Sequence, residues 1–175
     1  YVISDHMQDS TNETLSQLPI RLLTATYEDS SKAKALLLAI NAIEEEGKAG
    51  GLRDRQLALM YDIAVVMDAD NVTVPGFLSE VNRAYCTGVW SMQAHRTGKN
   101  LNTDIALLDG VSEEINNGFF RSGHNALGLS AGLAGSGMAF HYFWYYNAVQ
   151  ELETAGEDKE LELALLECGI HTVYL

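Results

Sequence analysis

The chain has 175 residues, 24 of them acidic and 11 basic, for a formal net charge of −13. That length suits one domain with a sizeable core, and an apolar content of 47% excludes a disordered polypeptide. So acidic a chain excludes a phosphate-backbone binder, and no nucleic-acid partner is expected. Cys86 and Cys168 lie far apart and form neither a metal spacing nor a disulfide framework. No apolar run approaches the ~18–20 residues needed to cross a bilayer, and Tyr1-Val2-Ile3-Ser4-Asp5 has none of the features of a secretory leader. A cytoplasmic setting is expected. The sequence starts without Met on a strand-like run, so it reads as part of something longer.

In chain order, Tyr1–Ser4 reads as a buried strand ending in Asp5, and Ser10 or Thr11 can cap a short helix. Ile20–Thr26 alternates and is β-branched, the pattern of a strand. From Ser31 to Glu46, Ala35, Leu36, Ala39, Ile40 and Ile43 recur at helical spacing, with Ser30 or Ser31 as N-cap and Gly47 as the stop. Ile63–Met67 is the strongest strand, apolar on both faces, and it runs into Asp68-Ala69-Asp70-Asn71. Pro75 marks a helix start, and Phe77, Leu78, Val81 and Tyr85 form its stripe. Val89–Ala94 reads as a strand and Asn102–Phe120 as a long helix, loose around Gly110. Leu127–Phe140 is Gly-rich, a loop or a closely packed strand. Helices at His141–Glu153 and Asp158–Cys168 precede a last strand at His171–Leu175. Strands alternating with helices predict a single α/β domain with a mostly parallel sheet covered on both faces.

In open α/β sheets, ligands gather at the carboxyl ends of strands. Two predicted strands end there in acids, Asp5 and the pair Asp68/Asp70. In Asp68-Ala69-Asp70, strand alternation points the carboxylates in different directions, one toward a ribose or sugar hydroxyl and one toward a metal. Mg²⁺ or Mn²⁺ prefers oxygen ligands and takes one or two carboxylates plus substrate phosphates. A polar turn with Asp70 or Asn71 capping the next helix would have the same appearance. Glu157 and Asp158 open a helix, where the dipole favours anions, and capping alone also accounts for them. The glycines of Gly135-Ser136-Gly137 let a backbone approach a ligand or simply a neighbouring strand.

Together these stretches resemble the family-two inverting glycosyltransferases of the GT-A fold, the group that holds cellulose, chitin and hyaluronan synthase-like enzymes. Val2-Ile3-Ser4-Asp5 followed by Asp9-Ser10-Thr11 looks like the nucleoside-holding strand and aspartate. Ser31-Lys32-Ala33-Lys34-Ala35-Leu36 is similar to the family's G-K-x-x-A-L segment, with Ser31 in place of Gly. Val66–Asn71 looks like the D-x-D strand, Gly135–Phe140 like the G-x-G or G-x-A stretch, and Gly156-Glu157-Asp158 like the E-D motif. The pieces stand in the family's order over nearly the whole chain.

The resemblance implies a GT-A-type catalytic domain over residues 1–175, incomplete at both ends, that moves sugar from a nucleotide sugar, a UDP-sugar foremost, to an acceptor hydroxyl. Asp5, Lys32 and Asp68 would bind the donor, Asp70 a divalent cation (Mn²⁺ or Mg²⁺), and Asp158 would be the general base. Ser136, Gly137 and Glu157 would lie on the acceptor side, facing a carbohydrate or lipid-linked acceptor. It also implies a first strand, absent here, between Tyr1–Ser4 and Ile63–Met67. Without it the sheet keeps an empty slot, at about 1–3 kcal/mol per unpaired buried group. Membrane helices in a longer protein, and a place at the inner face of the cell membrane, stay open. The alternatives are a sugar-phosphate nucleotidyltransferase, a degenerate nucleotide-binding module and a purely structural α/β domain.

Other features read as structural. Gln93, His95 and Arg96 read foremost as a solvated strand end, the alternative being heads that line the cleft with Arg96 facing a phosphate; His124 looks like a loop residue and Glu44-Glu45-Glu46 like a solvated helix end. Phe140 to Tyr146 is aromatic at every position but His141. Rings that cover all sides of a helix must be largely core, the remainder facing an acceptor, a membrane or a partner.

Overall fold

The computed structural model describes residues 1–175, the side chain of Asp54 excepted. The elements are β1 (Val2–Asp5), α1 (Asp9–Ser16), β2 (Leu22–Ala25), α2 (Lys32–Ala49), β3 (Ile63–Val66), α3 (Phe77–Cys86) and β4 (Ser91–Gln93). They continue with α4 (Asp104–Ile115), π-helical turns over Asn116–Gly123, α5 (His124–Ala126), β5 (Met138–His141), α6 (Tyr142–Val149), α7 (Glu157–Glu167) and β6 (Thr172–Tyr174). The fold is α/β. No helix of the described residues is long and apolar enough to cross a membrane.

The strands form two sheets, a parallel pair β1–β2 and a four-stranded sheet in the order β3-β5-β4-β6. β4 and β6 are parallel, while β5 runs antiparallel to both of its neighbours. The pairing is therefore mixed rather than mostly parallel. β5 is reversed because it enters from the 127–137 loop at the carboxyl ends of β3 and β4, where Gly137 N–H donates to Val66 O and Ala94 N–H to Gly137 O. Among the described residues β1 and β3 each pair on one side only. As an edge strand β3 is less covered than its apolar sequence predicts, with Val65 at 37% exposure.

Residues alternate across the central strand β5. Met138 and Phe140 enter the main core with Leu36 and Ile40 of α2, Tyr142, Tyr145 and Val149 of α6, and Leu161 and Leu165 of α7. Ala139 faces the other way, into a smaller cluster with Val81 of α3 and Met92 of β4. Helices thus cover both faces of the larger sheet. Each fully buried large side chain contributes about 1.5–3 kcal/mol, so the aromatic stretch belongs mainly to the core. Phe140 stacks on Tyr145, and Phe143 and Trp144 pack from the rim.

Helix α2 ties the two sheets together. Its start is set by Ser31, whose hydroxyl accepts from Lys34 N–H at 3.2 Å. Gly47 does not end it. The helix runs on to Ala49, and Gly47 is buried where a Cβ would stand 2.6 Å from Leu57 Cδ2. The glycine serves close packing, and Gly50 follows the last turn. The triplet of glutamates is also less free than expected, since Glu44 accepts from Tyr146 and Lys48 and Glu46 accepts from Tyr1. Gly110 sits in regular α4, and the loosening falls one turn later, in the π-helical residues.

Candidate functional site

The first residue of α2, Lys32, reaches across to the end of β3. Its ammonium donates to the Asp68 carboxylate and to the Gly135 carbonyl, and lies 3.9 Å from Glu157 Oε1. Four segments far apart in sequence thus meet at one cation. Above it Gly135 adopts a left-handed φ of 74°, and a Cβ there would come within 3.6 Å of both Lys32 Nζ and Glu157 Oε1. A glycine is favoured there because a side chain would be strained in that left-handed conformation, although the space beside the pair would admit a Cβ in ordinary contact.

Glu157 has a side chain only 8% exposed, and burial pushes its carboxyl above the usual carboxylate range, the Lys32 charge opposing. The neighbouring Asp158 is half-buried and accepts from the Lys159 amide. Capping of the preceding loop falls instead to Glu160, which accepts from the amides of Glu153 and Thr154 at 2.8 Å each. The first turn of α7 therefore divides its acids: one inward, one at the surface, one holding the loop.

The loop after β3 is fixed by Ser136. Its fully buried hydroxyl receives the Asp68 amide at 2.9 Å and donates to the Asn71 side chain. Neither Asp70 nor Asn71 caps a helix, because α3 begins at Phe77 with Gly76 as its cap. Asp70 is 73% exposed and pairs with Lys99 at 3.3 Å. It lines a cavity of about 440 Å³ together with Gly137, Phe77, Arg96, Lys99 and Glu113. Asp5 lies at the carboxyl end of β1. The hydroxyl of Ser30, just before α2, and then the Tyr27 amide and His6 hold its carboxyl below the usual range.

Neither Gln93 nor Arg96 is a simple solvated strand end: Arg96 lines the Asp70 cavity, and Gln93 turns inward. Gln93 is fully buried and holds the glycine loop: Oε1 accepts from Ala134 N–H at 2.9 Å, and Nε2 donates to Ser136 O at 3.0 Å. Arg96 is partly buried and donates to Ala134 O at 2.8 Å. A β-strand end beside a Gly-rich loop was the available signal. The direction of the side chain depended on β5 being antiparallel.

A divalent ion held by one carboxylate and mainly by substrate oxygens suits Asp70, whose carboxylate is open to solvent beside a cavity. No three His, Cys, Asp or Glu side chains gather into a metal-binding group among the described residues, and such an ion does not need one. Chemically, the arrangement offers a cation for a phosphate, carboxylates for hydroxyls, and a surface carboxylate at a helix start. No protein-family model matches the chain, and no curated protein matches it either.

Proposed function

We propose that the chain is a catalytic domain of the family-two GT-A type, an inverting glycosyltransferase using a nucleotide-sugar donor and a divalent cation. The observation that carries this reading is the meeting of Lys32, Asp68, the Gly135 loop and the Glu157–Asp158 turn at the carboxyl end of β3. That is where open α/β sheets bind ligands.

In this reading Asp5 and Asp68 accept from hydroxyls of the nucleoside and sugar, and Lys32 faces the diphosphate. Asp70 holds the cation, which when bound offsets charge on the leaving diphosphate. Ser136 and Gly137 shape the acceptor side. Buried Glu157 positions Lys32 and the turn that carries Asp158. The acceptor oxygen attacks the anomeric carbon as the carbon–phosphate oxygen bond breaks. The diphosphate leaves with that electron pair, and Asp158 takes the acceptor's proton, within ~2.6–3.2 Å in a productive complex. A further strand between β1 and β3 belongs to this reading and would give each a second partner.

The test is to incubate the protein with Mn²⁺ and either UDP-glucose or UTP plus glucose-1-phosphate. The expected result is release of UDP from the first mixture only, reduced by orders of magnitude in Asp158→Asn with donor affinity kept. Pyrophosphate from the second mixture would identify a nucleotidyltransferase. Unchanged turnover in Asp158→Asn would remove Asp158 as the base.

A further inference from the structure

The cavity beside Asp70 is lined by two cations, Arg96 and Lys99, and three acids, Asp70, Asp109 and Glu113. Arg96 is already engaged. Its guanidinium donates to Ala134 O at 2.8 Å and lies 3.8 Å from Glu113 Oε1, and its own carbonyl accepts from Asn117 at 2.7 Å. Helix α4 and its π-helical extension fix this wall by turning polar residues inward, where buried Arg121 donates to Glu113 at 2.7 Å and to Asn117.

Lys99 is held differently. Its ammonium donates to the Asp70 carbonyl and lies 3.3 Å from Asp70 Oδ2. A carbonyl and a carboxylate oxygen are the donors that a hard divalent cation takes, so the ammonium stands on the ligand assigned to the metal. The pair is open, with side chains 50% and 73% exposed, and exposed pairs are weak. The backbone beneath is fixed, because Leu101 packs between Gly98 and Gly110, where Cβ atoms would stand 3.1 and 2.7 Å from its Cδ2. The anchor is rigid and the long lysine stem is flexible. Lys32, by contrast, has little left to offer a diphosphate. An ammonium has three N–H donors; Lys32 gives to Asp68 and Gly135 O, with Glu157 Oε1 at 3.9 Å.

We propose that Lys99 is an exchangeable counter-ion of the donor site: it neutralises Asp70, yields that carboxylate to the divalent cation, and turns to the donor's diphosphate. This rests on the transferase reading. Two cations on one carboxylate repel each other, so Lys99 and a divalent ion compete for Asp70. A diphosphate gives Lys99 a new anion and ends the competition. Lys99 therefore opposes the metal when it binds alone and supports the nucleotide once the metal is in place.

The experiment compares the native protein with Lys99→Met and Lys99→Arg. Each is titrated with Mn²⁺ alone, followed by water-proton relaxation, and by calorimetry with UDP and with uridine at saturating Mn²⁺. Lys99→Met is expected to bind Mn²⁺ about two- to five-fold tighter, through release of an exposed pair. It should bind UDP about ten-fold weaker, through loss of a charge-assisted hydrogen bond. Uridine, which lacks the diphosphate, should bind native and Lys99→Met alike, and Lys99→Arg should keep UDP within about three-fold of native. A merely structural lysine would not move the two affinities in opposite directions. Mn²⁺ binding unchanged or weaker in Lys99→Met, UDP binding unchanged, or uridine weakened as much as UDP overturns the proposal and leaves Lys99 a surface partner of Asp70. No UDP binding by the native protein rejects the transferase reading and the diphosphate role with it, whereas UDP binding indifferent to Lys99 rejects this proposal alone.

Discussion

Replacing Gln93 with Leu keeps the side chain's size and removes its hydrogen bonds. Ala134 N–H and Ser136 O lose partners at 2.9 and 3.0 Å in a place where Gln93 itself has no solvent exposure. An unsatisfied buried group costs about 1–3 kcal/mol. Two such groups, offset by the modest gain from an apolar side chain, give an expected loss of about 2–4 kcal/mol. That is a large share of the roughly 5–15 kcal/mol that a domain has in total. Urea unfolding followed by circular dichroism measures it, with the slope checked so that the midpoint can be converted. Gln93→Glu sharpens the test. It keeps the acceptor for Ala134 but sets a second carboxylate oxygen against the carbonyls of Ser136 and Ala94. Protonation restores a donor, so this variant's folded pKa lies above its unfolded value. Its stability is present at acid pH and is lost as pH rises through the folded pKa. A loss below about 1 kcal/mol in Gln93→Leu, or a pH-independent Gln93→Glu, would refute the assignment of Gln93 as the clamp on the glycine loop.

Three further outcomes are expected. Tyr142→Phe removes a buried hydroxyl that has no hydrogen-bond partner among the described residues; unfolding should show equal or higher stability, and a loss above about 1 kcal/mol would mean the hydroxyl is satisfied. Burial raises the Glu157 carboxyl in the folded state, so the native protein binds the extra proton. Stability then falls as pH rises from the unfolded carboxylate value through the folded one, and Glu157→Gln should flatten that part of the profile, while an unchanged profile would assign it elsewhere. Ser31→Ala removes the cap of α2 and should cost about 1 kcal/mol, roughly 2–4 °C in Tm at this chain size; no shift would mean the cap is dispensable.

Much of the fold was legible because local chemistry dictated it. The acid-terminated strands, the Ser31 cap and the periodicity of α2 are patterns in consecutive residues, and each matches an element within a few positions. Of the candidate site, Lys32, Asp68 and Glu157 stood out singly in the sequence but not as a contact: nothing in the row tells that one ammonium bridges segments a hundred residues apart. Gln93 read foremost as solvated because a polar residue at a strand end usually is, and only the reversed direction of β5 brings the glycine loop over it. Gly47 was misread as a stop because a glycine chosen for close packing has the same letter as one chosen for a turn. The inward polar face of α4 was hidden for a related reason. Helical spacing reveals an amphipathic helix, and the side that meets the protein is settled by what Glu113, Asn117 and Arg121 find there.

The most direct measurement is calorimetric titration of the protein with UDP, with Mn²⁺ and again with a chelator, for the native chain and for Asp70→Ala. The account predicts binding at least ten-fold tighter with Mn²⁺ in the native chain, and loss of that metal dependence in Asp70→Ala with the fold intact. Equal affinity of both proteins in the presence of Mn²⁺, or no UDP binding by either, would contradict it.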